Sequence, residues 1–94
     1  MDRDLLSHFP VVLAVARRGG FAAAAAALNM SPSAVSHAVK AVEDRLGQPL
    51  FLRTTRSVAL TEAGASFVGS VGPALATVEE SVERVRAAKG RVAG

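Results

Sequence analysis

The sequence contains no cysteine, tryptophan or tyrosine, and each absence excludes a kind of site. Without cysteine the chain can form neither a disulfide framework nor a thiolate metal site, and it has no cysteine nucleophile. Without Trp and Tyr it lacks the stacking platforms that single-strand binders use. No apolar run reaches membrane-spanning length, and Met1 to Asp4 lacks the basic flank of a signal peptide. These features fit a protein of the reducing cytoplasm, and we expect no cofactor and no metal.

The composition indicates one small domain with a modest basic excess. A chain of 94 residues lies near the lower end of what buries an adequate core, so a partner chain would help it. Half of the residues are hydrophobic, but 19 of them are Ala. The net charge is +3, and the excess is local, because residues 31–61 hold four basic and two acidic residues whereas residues 62–94 hold four of each. A local basic excess is typical of nucleic-acid contact.

Residues 32–46 have the start, the two faces and the end of an amphipathic helix. Ser31 suits the N-cap, Pro32 suits the first helical position, and Gly47 suits the left-handed residue after the end. At about 100° per residue the apolar and polar side chains separate onto opposite sides. The apolar side contains Val35, Val39, Val42 and Leu46, and the polar side contains Ser33, Ser36, His37, Lys40 and Asp44.

The polar side of this helix has two interpretations. Short hydroxyls, an imidazole and one ammonium group suit base edges and phosphates in a DNA groove. The alternative is an ordinary solvated face, although such a face usually carries fewer Ser residues, since Ser is a poor interior helix residue. We favour contact with DNA, and the neighbouring segments must decide between the two.

Two further helices are predicted upstream. Residues 5–18 form an apolar segment with a basic end, and Pro10 requires either that the helix begins near it or that a first turn at residues 3–9 is kinked. Residues 21–28 contain six consecutive alanines, and a turn at 29–30 follows. The alanines are either low-complexity helix formers or small side chains that let another helix approach closely. The second interpretation fits a two-helix motif with a tight turn.

A hairpin is predicted downstream of residues 32–46. Two short runs with β propensity, 50–53 and 57–60, flank a polar loop that carries or adjoins Arg53 and Arg56. A hairpin beside a helix-turn-helix is a wing, so both arginines are candidates for contact with DNA. The alternative is that they belong to a solvated hairpin tip.

A long helix is predicted over residues 62–89, with Thr61 as its N-cap. Pro73 lies inside, but glycines occupy the position before it and the position four residues back, so we expect a bend rather than a break. Residues 90–94 are predicted to be a linker. Apolar residues at spacings of three and four predict a short coiled-coil dimer seam. The seam consists of Phe67, Val71, Leu75, Val78, Val82 and Val85.

Five strings carry a resemblance to a known family. They are Ala14-Val15-Ala16-Arg17-Arg18-Gly19-Gly20-Phe21; Ala25-Ala26-Ala27-Leu28-Asn29-Met30-Ser31-Pro32-Ser33-Ala34-Val35-Ser36; Val42-Glu43; Leu46-Gly47-Gln48-Pro49-Leu50-Phe51 with Arg53; and Leu60-Thr61-Glu62-Ala63-Gly64. Together, and in this order, they resemble the N-terminal DNA-binding region of a LysR-type transcriptional regulator. The resemblance covers nearly the whole chain, and it is specific because the strings occur together.

The resemblance implies a mainly α fold, a winged helix-turn-helix with three helices and a two-stranded wing over residues 1–61. It assigns the helix-turn-helix to 21–40, the wing to 50–60 and a dimerising linker helix to 62–89. The implied function is sequence-specific binding of duplex DNA by a bacterial transcription regulator, associated with the nucleoid, as a homodimer on a dyad-symmetric promoter site with helix 32–46 in the major groove. The predicted DNA contacts are Pro32, Ser33, Ser36, His37, Lys40, Arg53, Thr54 and Arg56.

The chain departs from the family pattern in three ways. The family usually has Ser or Thr near positions 20–22, where this chain has Gly20 and alanines, so the resemblance does not carry phosphate contacts over to that helix. Position 37 is more often Arg or Gln than His. Family members also continue into a larger α/β effector-binding domain of two lobes. We therefore expect a piece of a longer protein, which would bind its small-molecule effector only through that domain and for which a tetramer is a possible further assembly.

The competing hypothesis from another class is a small dimeric protein-interaction module that uses a helix-turn-helix scaffold. A steep salt dependence of binding to random duplex DNA is expected only of the DNA-binding protein. An enzyme is not expected, because the two histidines lie on separate predicted helices and the sequence has no acidic pair at ligand spacing and no glycine-rich phosphate loop.

Overall fold

The computed structural model describes the backbone of residues 1–54 and 57–92 and the side chains of those up to Lys89. These residues form four helices and one two-stranded antiparallel hairpin. The elements are α1 (Arg3–Arg18), α2 (Phe21–Leu28), α3 (Pro32–Leu46), β1 (Phe51–Arg53), β2 (Val58–Leu60) and α4 (Glu62–Val92). The predicted fold class is confirmed, and α4 continues three residues beyond its predicted end at Lys89.

Helix α1 is a single helix that passes through Pro10. Its N-cap is Asp2, whose carboxylate accepts hydrogen bonds from the backbone N–H groups of Asp4 and Leu5, and it ends at Gly19, which has a φ of 78°. Proline removes the hydrogen bond to the carbonyl four residues back, which belongs to Leu6. Both Pro10 and Leu6 are exposed, so water can satisfy that carbonyl. The helix starts at Arg3, so the alternative in which it begins near Pro10 is wrong.

A tight turn joins α2 to α3. Asn29 adopts a φ of 56°, and the N–H of Met30 donates to the carbonyl of Ala25 at 2.9 Å. Ser31 then caps α3 by accepting a hydrogen bond from the N–H of Ala34 at 3.1 Å. Of the six alanines, only Ala24 and Ala25 are buried. The close-approach interpretation thus holds for these two, and the other four alanines face outward.

The core lies between α1, α2, α3 and the first strand of the wing. Its largest fully buried side chains are Leu50, Val12, Val15, Val35, Val39 and Val42. Leu46 was predicted to belong to the apolar side of α3, but it is 43% exposed. Leu46 borders an open surface hollow between the end of α3 and the start of α4, which is also lined by Leu50, Glu62 and Phe67, so the helical period continues where the core has ended.

Leu50 connects α3, the wing and α4. Its side chain is buried, its N–H donates to the Glu43 carboxylate at 2.7 Å, and its carbonyl accepts from the N–H of Thr61 at 3.0 Å. The hydroxyl of Thr61 donates to the carbonyl of Pro49 at 2.8 Å and accepts from the N–H of Gly64 at 2.9 Å. The predicted N-cap of α4 is confirmed, and this cap also fixes α4 against the start of the wing.

An ion pair between Arg45 and Asp2 joins the end of α3 to the start of α1. The hydrogen bond from Arg45, with two backbone N–H donors, holds the pKa of the Asp2 carboxyl below its usual value of 3.8. A carboxyl whose pKa is lower in the folded than in the unfolded state stabilises the protein above the unfolded pKa. The stabilisation is lost as the pH falls through the folded pKa.

We expect Asp2→Asn to lower the melting temperature near neutral pH and to have progressively less effect as the pH falls below 3.8. Asparagine is also a good N-cap, so this variant removes the charge and keeps the cap. Thermal unfolding of both proteins from about pH 6 downward measures the difference, and Arg45→Gln should show the same trend. A difference of constant size across this range would contradict the ionic explanation.

Candidate nucleic-acid interface

The predicted contact residues of α3 lie on the side of the helix that faces away from the core. Pro32, Ser33, His37 and Lys40 are exposed, and Ser36 is half-buried at the edge of the same surface. The opposite side is buried through Val35, Ala38, Val39 and Val42. The two-sided pattern of the sequence is therefore confirmed for the first three turns of the helix.

Two contacts organise the polar side of α3. At its start, the hydroxyls of Ser31 and Ser33 lie 3.3 Å apart. In the second half of the helix, the ammonium of Lys40 lies 3.4 Å from the Asp44 carboxylate, and both side chains are well exposed. An exposed ion pair of this kind contributes about 0–1 kcal/mol, so a phosphate can compete for the ammonium.

The wing is a short antiparallel hairpin in which Arg53 pairs with Val58. At its tip the N–H of Thr54 donates to the carbonyl of Ser57 at 2.9 Å, and the Thr54 hydroxyl accepts from the N–H of Ser57 at 3.0 Å. These bonds close the loop between the strands. The predicted contact Arg56 lies outside the described residues.

Arg53 does not hang free at the hairpin tip but lies over an aromatic ring. Its guanidinium carbon is 4.3 Å from the centre of the Phe21 ring, and Phe21 in turn meets the buried Phe51 edge to face, with ring centres 5.9 Å apart. Phe51 and Arg53 share one face of β1, since side chains alternate along a strand. Sequence reasoning missed the contact with Phe21, and strand alternation could have shown only that Arg53 lies on the same face as Phe51.

The predicted seam of α4 divides into two halves. Phe67, Val71 and Leu75 pack partly buried against the core of their own chain, and Phe67 meets Phe9 at a ring-centre distance of 5.0 Å. The seam continues through Val78, Val82 and Val85, which are 56%, 44% and 72% exposed. Residues at one continuous helical spacing thus belong to two different surfaces, the core of their own chain and an exposed stripe, because α1 reaches only the first half of α4.

The described part of the chain contains no group of three or more His, Cys, Asp or Glu side chains that could hold a metal ion. Among the helices described, none combines the length and the apolar character that crossing a membrane requires.

A tight helix–turn–helix with an exposed polar second helix, followed by an antiparallel hairpin, defines a winged helix-turn-helix domain. The model of the lysR family of bacterial regulatory helix-turn-helix proteins matches residues 6–65. This chain belongs to that family, and it is a DNA-binding domain of the LysR type.

Relatives and solved structures agree with this assignment. An uncharacterized HTH-type transcriptional regulator, y4mQ of Sinorhizobium fredii, is 45% identical over 87 residues, which are 93% of this chain and 29% of the relative. The HTH-type transcriptional regulator PgrR of Escherichia coli K12 is 36% identical over 94 residues, which are all of this chain and 31% of the relative. The chain therefore spans about a third of the length of these relatives, which are named as regulators and not as enzymes.

A similar solved structure is the crystal structure of a complex between the CbnR DNA-binding domain and DNA. Its TM-score is 0.76 at 35% sequence identity, and the match covers 94% of this chain and 98% of that one. The agreement extends over both the winged domain and most of α4.

Proposed function

We propose that this domain binds a dyad-symmetric promoter site in duplex DNA as a homodimer, with α3 in the major groove and the wing on the sugar-phosphate backbone. The observation that supports it best is the exposed polar side of α3. A helix in the major groove needs short polar side chains on its outer surface and a rigid attachment on its inner one. Four buried apolar residues supply that attachment. We further propose that the protein acts in the cytoplasm, at the nucleoid.

The proposed contacts divide by the part of DNA that they would meet. Ser36 lies half-buried at the edge of the polar side, where its hydroxyl would meet a base edge, and Ser33 and Pro32 lie at the start of that side. His37 and Lys40 can reach bases or phosphates. Arg53, Thr54 and Arg56 of the wing would contact the backbone and an adjacent minor groove.

The proposed dimer would use the exposed half of the α4 seam. A stripe formed by Val78, Val82 and Val85 is costly to leave in water, and packing against the same stripe of a second chain would bury it. The partly buried residues Phe67, Val71 and Leu75 would then border the interface rather than form its centre. Tetramers, and a small-molecule effector bound by a further domain, remain predictions from the family resemblance.

The loss of a base contact and the loss of a backbone contact should change the affinity for DNA in different ways. Ser36→Ala and Lys40→Ala should each cost about 1–3 kcal/mol on a selected site if a base contact is lost, and less on random duplex. Arg53→Ala should weaken both DNAs alike and lower the magnitude of the salt slope by about one, because one phosphate contact releases fewer counterions. Titrations of a selected and a scrambled duplex at several salt concentrations measure both effects.

Two control variants sharpen this experiment. Arg84→Ala removes an exposed guanidinium from α4, far along the chain from the wing, and should leave the salt slope unchanged. Asp44→Asn removes the carboxylate that pairs with Lys40 and should tighten binding to both duplexes. If Ser36→Ala leaves the preference for the selected site intact, the docking of α3 is wrong. If the chain has no salt-dependent affinity for duplex DNA, the domain is a protein-interaction module instead.

A further inference from the structure

Arg53 and Phe21 are in contact where the start of α2 meets the wing. Phe21 is the first residue of α2 and is half-buried, with its ring set edge to face against Phe51 in the core. Arg53 lies over that ring at 4.3 Å and is itself exposed. An arginine at the end of β1 is thereby in contact with the first residue of α2.

The described residues leave the hydrogen-bonding groups of Arg53 free. No carboxylate among them lies within ion-pair distance, and none of their oxygens accepts a hydrogen bond from the guanidinium. Contact with an aromatic ring does not consume the N–H donors of a guanidinium, which remain able to bind a phosphate in a two-pronged geometry. The hollow beside it is open and is lined by Gly19, Gly20, Ala22, Ala23, Thr54 and Ser57.

We propose that Phe21 is a positioning residue for DNA binding, which holds the Arg53 guanidinium ready for one backbone phosphate at the junction of α2 and the wing. This inference rests on the proposed function and names the partner of Arg53 within it. A long side chain loses rotational freedom when it binds, and a ring that restricts it beforehand reduces this loss. Phe21 would act through Arg53 without touching the DNA.

A double-mutant cycle tests the inference on random-sequence duplex DNA, with the whole 94-residue chain. Phe21→Leu keeps an apolar side chain and removes the ring, and it should weaken binding about two- to fivefold, the range expected for an exposed cation–π contact. In the Arg53→Ala background the same change should have no effect. Phe21→Tyr, which restores a ring, should recover the original affinity.

Two further variants separate positioning from a purely structural role. Phe67→Leu also removes a half-buried ring with an edge-to-face partner. No arginine in the described part of the chain lies over that ring, so its effect should not depend on Arg53. Arg53→Lys keeps the charge without the planar fork, so Phe21→Leu should have little effect in that background. Circular dichroism and melting temperature of each variant show whether it has folded.

The outcomes are distinguishable. If Arg53→Ala changes neither affinity nor salt slope, the wing contact of the proposed function fails, and the role of Phe21 fails with it. If Arg53→Ala weakens binding but Phe21→Leu has the same effect with and without Arg53, only the positioning role is overturned. A loss of affinity that Phe21→Tyr does not restore would also overturn it.

Discussion

Gly64→Ala is expected to unfold or strongly destabilise the domain. A Cβ at this position would lie 2.0 Å from the carbonyl oxygen of Leu50 and 3.0 Å from the side chain of Leu60. The obstacle is backbone, and it is held in place because that carbonyl accepts the N–H of Thr61. Overpacking costs about 1–3 kcal/mol or more, and breaking the hydrogen bond adds about 1 kcal/mol. At a total of about 3 kcal/mol the melting temperature should fall by more than about 10 °C.

Gly69→Ala provides the matched control on the same helix. Nothing lies within 4 Å of a Cβ built there, so the substitution should stabilise α4 by about 0.5–1 kcal/mol through the higher helix propensity of alanine. Thermal and denaturant unfolding of both variants measure the difference. A Gly64→Ala protein as stable as the original would show that α4 does not approach Leu50 so closely.

Val78→Asp with Val82→Asp is expected to convert the proposed dimer into a folded monomer. In the single chain both positions are largely open to water, so the charges should disturb the monomer little. At a dimer seam they would bury unpaired charge next to like charge. A monomer contacts one half-site only, so affinity for a two-half-site duplex should fall by about 100-fold or more.

Ala87→Asp is the control for this pair, because it lies about 180° around the helix from Val78 and should leave the dimer intact. Sedimentation equilibrium gives the association state. Titration of duplexes with one and two half-sites gives the gain in affinity from binding both half-sites with one dimer. A double variant that stays fully dimeric, or an unmutated chain that is monomeric at micromolar concentration, would contradict the proposed seam.

Three of the strings that carry the family resemblance meet at Leu50. Glu43 accepts its N–H, Thr61 donates to its carbonyl, and Gly64 passes directly over that carbonyl. The three strings are separate motifs in the sequence, but in the fold their residues are in contact with one another. None of these contacts requires DNA. The most distinctive motif residues therefore hold the wing and α4 together. Sequence spacing alone could not show this, because the partners are 7 to 14 positions from Leu50.

Local signals in the sequence were sufficient to determine both ends of α3 and the start of α4. Ser31, Pro32 and Gly47 bound α3 as predicted, and Thr61 caps α4, because caps and backbone conformations depend on residues a few positions apart. The helical period likewise determined which side of α3 is polar.

Tertiary structure alone decided how these elements use their surfaces. A spacing of three and four residues shows which side chains share one side of a helix, but not how far the neighbouring helix extends. In α4, Phe67 packs against Phe9 of α1, whereas Val85 lies beyond α1 and is exposed to water. Leu46 likewise continues the apolar side of α3, but it borders an open surface hollow instead of the core. The position of Arg53 over Phe21 depends on packing between residues 32 positions apart, and such a contact forms only when the whole core places α2 beside the wing.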